Sequence, residues 1–145
     1  MFHVVILTAC MNPAQDLKTF LYLVDAETEQ LIWSTEVSKG DQFVLEYIHS
    51  VHKTPVSDSY LIGENNQIVL FRTAFSTFGA GMPYEADYSF SIEDDRYVIS
   101  DLNLTFAEIL LRVVPIAEHR IIINDDIIFM NDLVPQGTLL AIYVR

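Results

Sequence analysis

Between two apolar runs lies Tyr47-Ile-His-Ser-Val-His-Lys-Thr-Pro-Val-Ser-Asp-Ser-Tyr60, which crowds together titratable, hydroxyl-bearing and rigid side chains that neither run requires. A second such stretch, Phe75-Ser-Thr-Phe-Gly-Ala-Gly-Met-Pro-Tyr-Glu-Ala-Asp87, follows. Brought together, the first would form a wall of His49, Ser50, Lys53 and Thr54, and the second a glycine-rich turn with free backbone N–H groups and Glu85. Histidine changes charge near neutral pH without strong perturbation, so His49 is the leading titratable candidate. A nucleophile–base pair of Ser50 and His49 is disfavoured, because adjacent residues on a strand point to opposite faces. The competing role for His49 is a strand-end residue hydrogen-bonded to a neighbouring loop.

Metal chemistry has a thin basis. His49 and His52 lie three apart, and Asp58 and Glu85 are possible oxygen ligands, but no further His or Cys stands at ligand spacing. No metal or cofactor is therefore expected. Recognition fits these residues better. Pro55 fixes its own φ and restrains Thr54, so that Lys53 and Thr54 present a cation and a hydroxyl with little entropy left to lose. Gly79-Ala80-Gly81 lets the backbone approach a ligand closely and can form an anion-holding nest, with Met82-Pro83 beneath. The expected binding residues are thus His49, Ser50, Lys53, Thr54, Pro55, Gly79, Ala80, Gly81, Met82 and Glu85, a set suited to a small carboxylate with Lys53 as its counter-ion. The alternative is a structural clasp, in which Lys53 pairs with Glu85 inside the protein.

The elements that must position these residues read as strands. Apolar residues recur at every second position in short runs separated by turn residues. The runs are Thr19–Val24, Gln30–Val37, Gln42–His49, Ser57–Ile62, Ile68–Phe75, Tyr88–Ile92, Arg96–Ile99, Glu108–Val114, Arg120–Asn124, Ile127–Met130 and Thr138–Val144. Gly63-Glu-Asn-Asn66 reads as a tight turn, since Gly and Asn tolerate positive φ. Leu104–Val114 also fits a helix, because Phe106, Ile109, Leu110 and Val113 follow a 3.6-residue period. About ten short strands predict an all-β fold, an antiparallel β-sandwich or partly closed barrel.

Composition bounds the rest. With 145 residues, 51% of them apolar, the chain suffices for one domain with a substantial core. The net charge of −12 repels phosphate backbones and anionic headgroups, which argues against nucleic acid and against electrostatic membrane docking. Cys10 is the single cysteine, so no intrachain disulfide is possible. It follows Val4–Leu7 in Leu7-Thr-Ala-Cys10, a pattern shaped like a lipoprotein cleavage site at which the cysteine would be acylated. The apolar run is short for an export signal and no Lys or Arg precedes it. Residues 1–16 are accordingly expected to be a remnant export or lipoprotein signal or a disordered N-terminus, and residues 17–145 a single β domain.

The two motifs also carry a resemblance. Tyr47-x-His-Ser-Val-x-Lys-Thr-Pro-Val56 followed by Phe78-Gly-Ala-Gly-Met-Pro83 resembles the signature of domain-of-unknown-function family 1850, and Leu111-Arg-Val113, His119-Arg-Ile121 and Gly137 fit the same pattern. The resemblance implies a small bacterial protein, usually exported, often encoded beside tripartite ATP-independent periplasmic transporters. It implies no activity. The combined expectation is an extracytoplasmic accessory or binding protein that contacts a transporter component, a solute receptor or a carboxylate-type ligand through the two motifs, possible membrane attachment being through Cys10 alone. A hydrolase-like or metal-assisted enzyme centred on His49 is the alternative.

Overall fold

The computed structural model describes residues 18–77 and 88–145. These form β1 (Thr19–Asp25), β2 (Leu31–Val37), β3 (Gln42–Ile48), β4 (Pro55–Ile62), β5 (Ile68–Phe75), β6 (Ser89–Glu93), β7 (Arg96–Phe106), β8 (Glu108–Arg112), β9 (Arg120–Ile123), β10 (Asp126–Phe129) and β11 (Leu139–Val144), with one helical turn, α1 (Met130–Leu133), after β10. The strands make two antiparallel sheets, a four-stranded one in the order β2-β1-β11-β8 and a seven-stranded one in the order β10-β9-β3-β4-β5-β7-β6. Among the described residues neither sheet closes on itself. The molecule is therefore a sandwich, and the barrel alternative falls away.

Alternation decides which side chains meet. Leu21 and Leu23 of β1 and Leu140, Ile142 and Val144 of β11 project from the four-stranded sheet. They enter one buried cluster with Phe43, Leu45, Tyr60, Ile62, Ile68, Ile121 and Ile123 of the seven-stranded sheet. Residues of odd number on β3 face this core and pair across the ladder with even-numbered residues of β4, as in Phe43 with Tyr60 and Leu45 with Asp58. Met130 and Val134 close the core from α1 and the loop after it.

The turns use asparagine and aspartate where positive φ is required. Asp94 and Asp95 (φ 48° and 60°) join β6 to β7, and Asn124 and Asp125 (φ 49° and 69°) join β9 to β10. Both are two-residue hairpin connections of the mirror-image type whose twist matches the strands. In the turn after β4 it is Asn65 and Asn66 that take positive φ (53° and 60°), while Gly63 stays at φ −88°. The β1–β2 connection is held by the Asp25 carboxylate, which accepts the backbone N–H groups of Glu27 (2.9 Å) and Thr28 (3.0 Å). Those two bonds favour the ionised form and keep Asp25 below the ordinary aspartate range.

Leu104–Val114 is not helical. Its first part extends β7 as far as Phe106, and after Ala107 the chain enters β8 in the other sheet. The alternation Leu102-Asn-Leu-Thr-Phe106 and a backbone already paired to β5 outweigh the competing helical period.

A smaller buried cluster, Val56, Phe75, Ile99 and Leu102, extends the interior below the β3–β4 connection, with Tyr47, Tyr88 and Tyr97 packed on it. Val56 closes the first polar motif and pairs with Phe75, which opens the second stretch. The polar β3–β4 connection thus springs from a firmly packed floor.

Candidate functional site: the β3–β4 hairpin and its polar base

The hairpin tip runs from His49 to Thr54 and is closed by two backbone bonds, His49 N–H to Thr54 O and Lys53 N–H to His49 O, each 2.9 Å. The His49 side chain is part of that closure. Its Nδ1 accepts the backbone N–H groups of Val51 (3.2 Å) and His52 (3.3 Å), much as an aspartate or asparagine side chain closes an Asx turn. A nitrogen that accepts must carry its lone pair, so in the neutral ring the proton sits on Nε2. The His52 ring lies 5.0 Å from that of His49. Lys53 takes φ 55°, which turns the chain back, and Pro55 starts β4, where the ladder tolerates its missing N–H.

The site residues expected from sequence therefore divide. His49, Ser50, Lys53, Thr54 and Pro55 share this one turn. Gly79, Ala80, Gly81, Met82 and Glu85 lie outside the described residues, as does Cys10. Ser50 and Lys53 are exposed, and Val51 stands 75% exposed at the apex. Among the described residues Lys53 pairs with no carboxylate, and no group of three metal-capable side chains converges anywhere. Asp58 does not join His52. It faces the interior, where Thr73 Oγ1 donates to its Oδ1 at 2.6 Å and the Tyr47 hydroxyl donates to it as well. Burial raises the Asp58 carboxyl above its ordinary range, with the two hydroxyl donors offsetting part of the rise. The Tyr47 phenol is pushed to about 12, first by burial and then by the neighbouring Asp58 charge.

On the opposite face of β3 and β4, sequence reasoning missed a second polar group. Glu46 and Ser57 are cross-strand partners, and Arg120 of β9 is the partner of Glu46 on its other side. Arg120 Nε donates to Glu46 Oε2 at 2.7 Å, and its Nη2 donates to the same oxygen. Ser57 Oγ donates to Glu46 Oε1 at 2.8 Å and accepts from Arg96 Nη2 at 3.1 Å. The same Nη2 donates to the carbonyl of Ala74 at 2.6 Å and reaches that of Pro55 at 3.4 Å. A continuous chain of bonds thus ties β9, β3, β4, β5 and β7 together at the root of the hairpin. Burial alone would raise the Glu46 carboxyl, but the Arg120 and Ser57 hydrogen bonds and the Arg120 and Arg96 charges together hold it below its ordinary value. Glu46 and Ser57 flank the motif in sequence, which was the available signal. Arg120 stands in His119-Arg-Ile121, which fits the family pattern, whereas Arg96 gave no signal, because only strand pairing brings it in.

The role of His49 is open to a direct check. His49→Ala removes the acceptor for two N–H groups at an exposed tip and should cost about 1 kcal/mol, whereas His49→Asn supplies an equivalent oxygen and should cost less than half as much. Urea titrations of the two variants read the difference. Equal losses would count against the turn-closing role.

The polar root and the hairpin lie within the region where a likeness to other proteins exists. Residues 43–130, more than half of the chain, match the family model described as domain of unknown function DUF1850. The chain belongs to the DUF1850 family. The matched region begins in β3 and ends at Met130, so it takes in all seven strands of the larger sheet, together with β8. Strands β1, β2 and β11 lie outside it. The part of this DUF1850 chain that matches the family is thus the sheet that carries the hairpin and its arginine-linked base. Comparison with curated proteins and with solved structures gives no match.

Proposed function

We propose that this DUF1850 protein is an extracytoplasmic accessory protein of a tripartite solute transporter, meeting the solute receptor or its carboxylate-type ligand through the β3–β4 hairpin. Phe78–Pro83, the other half of the proposed contact, lies outside the described residues. The observation that carries the reading is the state of the tip. His49 Nδ1 is spent on the turn, while Val51 and Lys53 stand in solvent on a backbone fixed by Pro55 and by two closing bonds. A preformed, exposed tip loses little entropy on docking, as a recognition loop requires. A hydrolytic centre would instead need a histidine free to move a proton within a concave pocket. Secretion and acylation at Cys10 belong to the same proposal and would hold the domain at the membrane surface beside a transporter.

Lys53→Glu tests it. Reversing one exposed charge should leave the melting temperature within about 2 °C of wild type, since surface substitutions shift stability little. Capture of the receptor and membrane components encoded beside the gene should fall by about tenfold or more, the loss typical of a central contact residue. Undiminished capture by the variant, or none by the wild type, would end the proposal.

A further inference from the structure

The outer face of the seven-stranded sheet holds a groove of about 290 Å³, separate from the hairpin tip, floored by Val44, Ser57, Ser59 and Ala74 and walled by Arg72, Arg96, Glu93 and Asp94. The β6–β7 turn builds one wall, because Asp94 and Asp95 adopt positive φ and bring Glu93 within 2.5 Å of Arg72 Nη2. Most charges around the groove are already matched. Arg72 pairs with Glu93, and Glu46 with Arg120 and Ser57.

Three groups remain. Arg96 commits Nη2 to Ala74 O and Ser57 Oγ, and its Nε is buried out of reach of the groove, which leaves Nη1, with no hydrogen bond among the described residues, as the nitrogen that can meet a ligand. The Ser59 hydroxyl and the Asp94 carboxylate, both lining the groove, likewise take part in no hydrogen bond or ion pair among the described residues. The set left over is therefore one guanidinium nitrogen, one hydroxyl and one carboxylate. A plain anion would meet the guanidinium but face Asp94 and Glu93, and a plain cation would meet Asp94 but face Arg96. A molecule carrying both charges satisfies both sides. The scale of the groove, near the lower end of small-molecule sites, restricts it to a compact one.

We infer that this groove binds a small zwitterion of the α-amino-acid class, with its carboxylate on Arg96 and Ser59 and its ammonium group on Asp94. Charge-assisted bonds at both ends give the selectivity, since removing either charge from the ligand leaves an ion of the protein unpaired beside a like charge.

Isothermal titration of the intact protein with the standard amino acids, each tested beside its N-acetyl and methyl-ester derivatives, is the test. At least one free amino acid should saturate below about 10 mM, and both of its derivatives should bind about tenfold more weakly or worse. Asp94→Asn, at an exposed turn whose positive φ asparagine accepts, should fold as wild type and bind the amino acid and its N-acetyl derivative alike. Ser59→Ala should weaken the amino acid several-fold. No saturation by any amino acid, or equal binding of the amino acid and its N-acetyl derivative by wild type, would overturn the inference. Undiminished discrimination by Asp94→Asn would place the binding elsewhere on the protein and would likewise overturn the inference.

Discussion

Phe43→Ala should lower the unfolding free energy by about 3–5 kcal/mol, the range for truncating a fully buried aromatic ring. Phe43 is 1% exposed and stacks on its cross-strand partner Tyr60, with ring centroids 5.1 Å apart and planes 16° from parallel. It belongs to the cluster in which residues of β1 and β11 meet those of β3, β4 and β9, so its loss opens a void between the sheets rather than at an edge. Neighbours held in two ladders have little freedom to collapse into that void, which places the cost toward the upper end. Phe43→Leu keeps much of the volume and should cost about 1 kcal/mol. Guanidinium titration should show a lower midpoint with an unchanged slope for both variants. A loss below about 1 kcal/mol for the alanine variant would mean that the sheets do not share this core.

Glu46→Ala is the second large effect. Breaking a buried, hydrogen-bonded ion pair by removing one partner typically costs about 3–5 kcal/mol. The Glu46 side chain is 22% exposed and that of Arg120 41%, so solvent screens part of the pair, and about 2 kcal/mol is the expected loss. Ser57 loses its acceptor in the same step. The effect should depend on pH in a defined direction. A carboxyl whose folded-state pKa is depressed contributes stability that is present above its unfolded value of roughly 4.3 and disappears as the pH falls through the lower, folded value. The gap between wild type and Glu46→Ala should therefore be widest near neutral pH and shrink through the acid range. Asp58 acts oppositely: its raised pKa makes the native state hold a proton longer, so its contribution improves as the pH falls from above the folded pKa toward the unfolded value. Both proteins retain Asp58, and the difference between their pH profiles isolates Glu46. A gap that stays constant or widens in acid would count against the Arg120–Glu46 link.

Together these two residues bound what the hairpin rests on. Phe43 and Glu46 belong to one strand and face opposite ways, one into the sheet-to-sheet core and the other into the bond network under Pro55. The tip can then be varied at Lys53 without loosening its base, which makes a binding test at that position interpretable.

The strand pattern was legible in the residues themselves because a half-buried strand writes its burial as alternation. Ile68–Phe75 coincides with β5, and the flanks of β1, β2 and β11 fall within a residue or so of their expected ends. The turn at Asn65-Asn66 was equally readable, since asparagine tolerates the positive φ that the chain needs there. The extension of β7 from Ser100 to Phe106 has no such local signature. Asp101 and Asn103 take φ 61° and 48° inside it, and the β5 register shifts between Leu70 and Arg72, so the local pattern is interrupted while the pairing continues.

At the site, sequence alone located the polar hairpin and its rigid proline, because residue type and order are local properties. It also left two roles open for His49, and it gave no sign that the folded backbone brings the N–H groups of Val51 and His52 to Nδ1. Glu46, Ser57, Arg96 and Arg120 became a network through strand pairing alone: Arg120 stands 74 residues from Glu46 in the chain, and Arg96 39 from Ser57. Short-range pattern fixes which residues face inward on each strand, but the order of strands in a sheet depends on contacts distant in sequence, and that order is what gathers the charges.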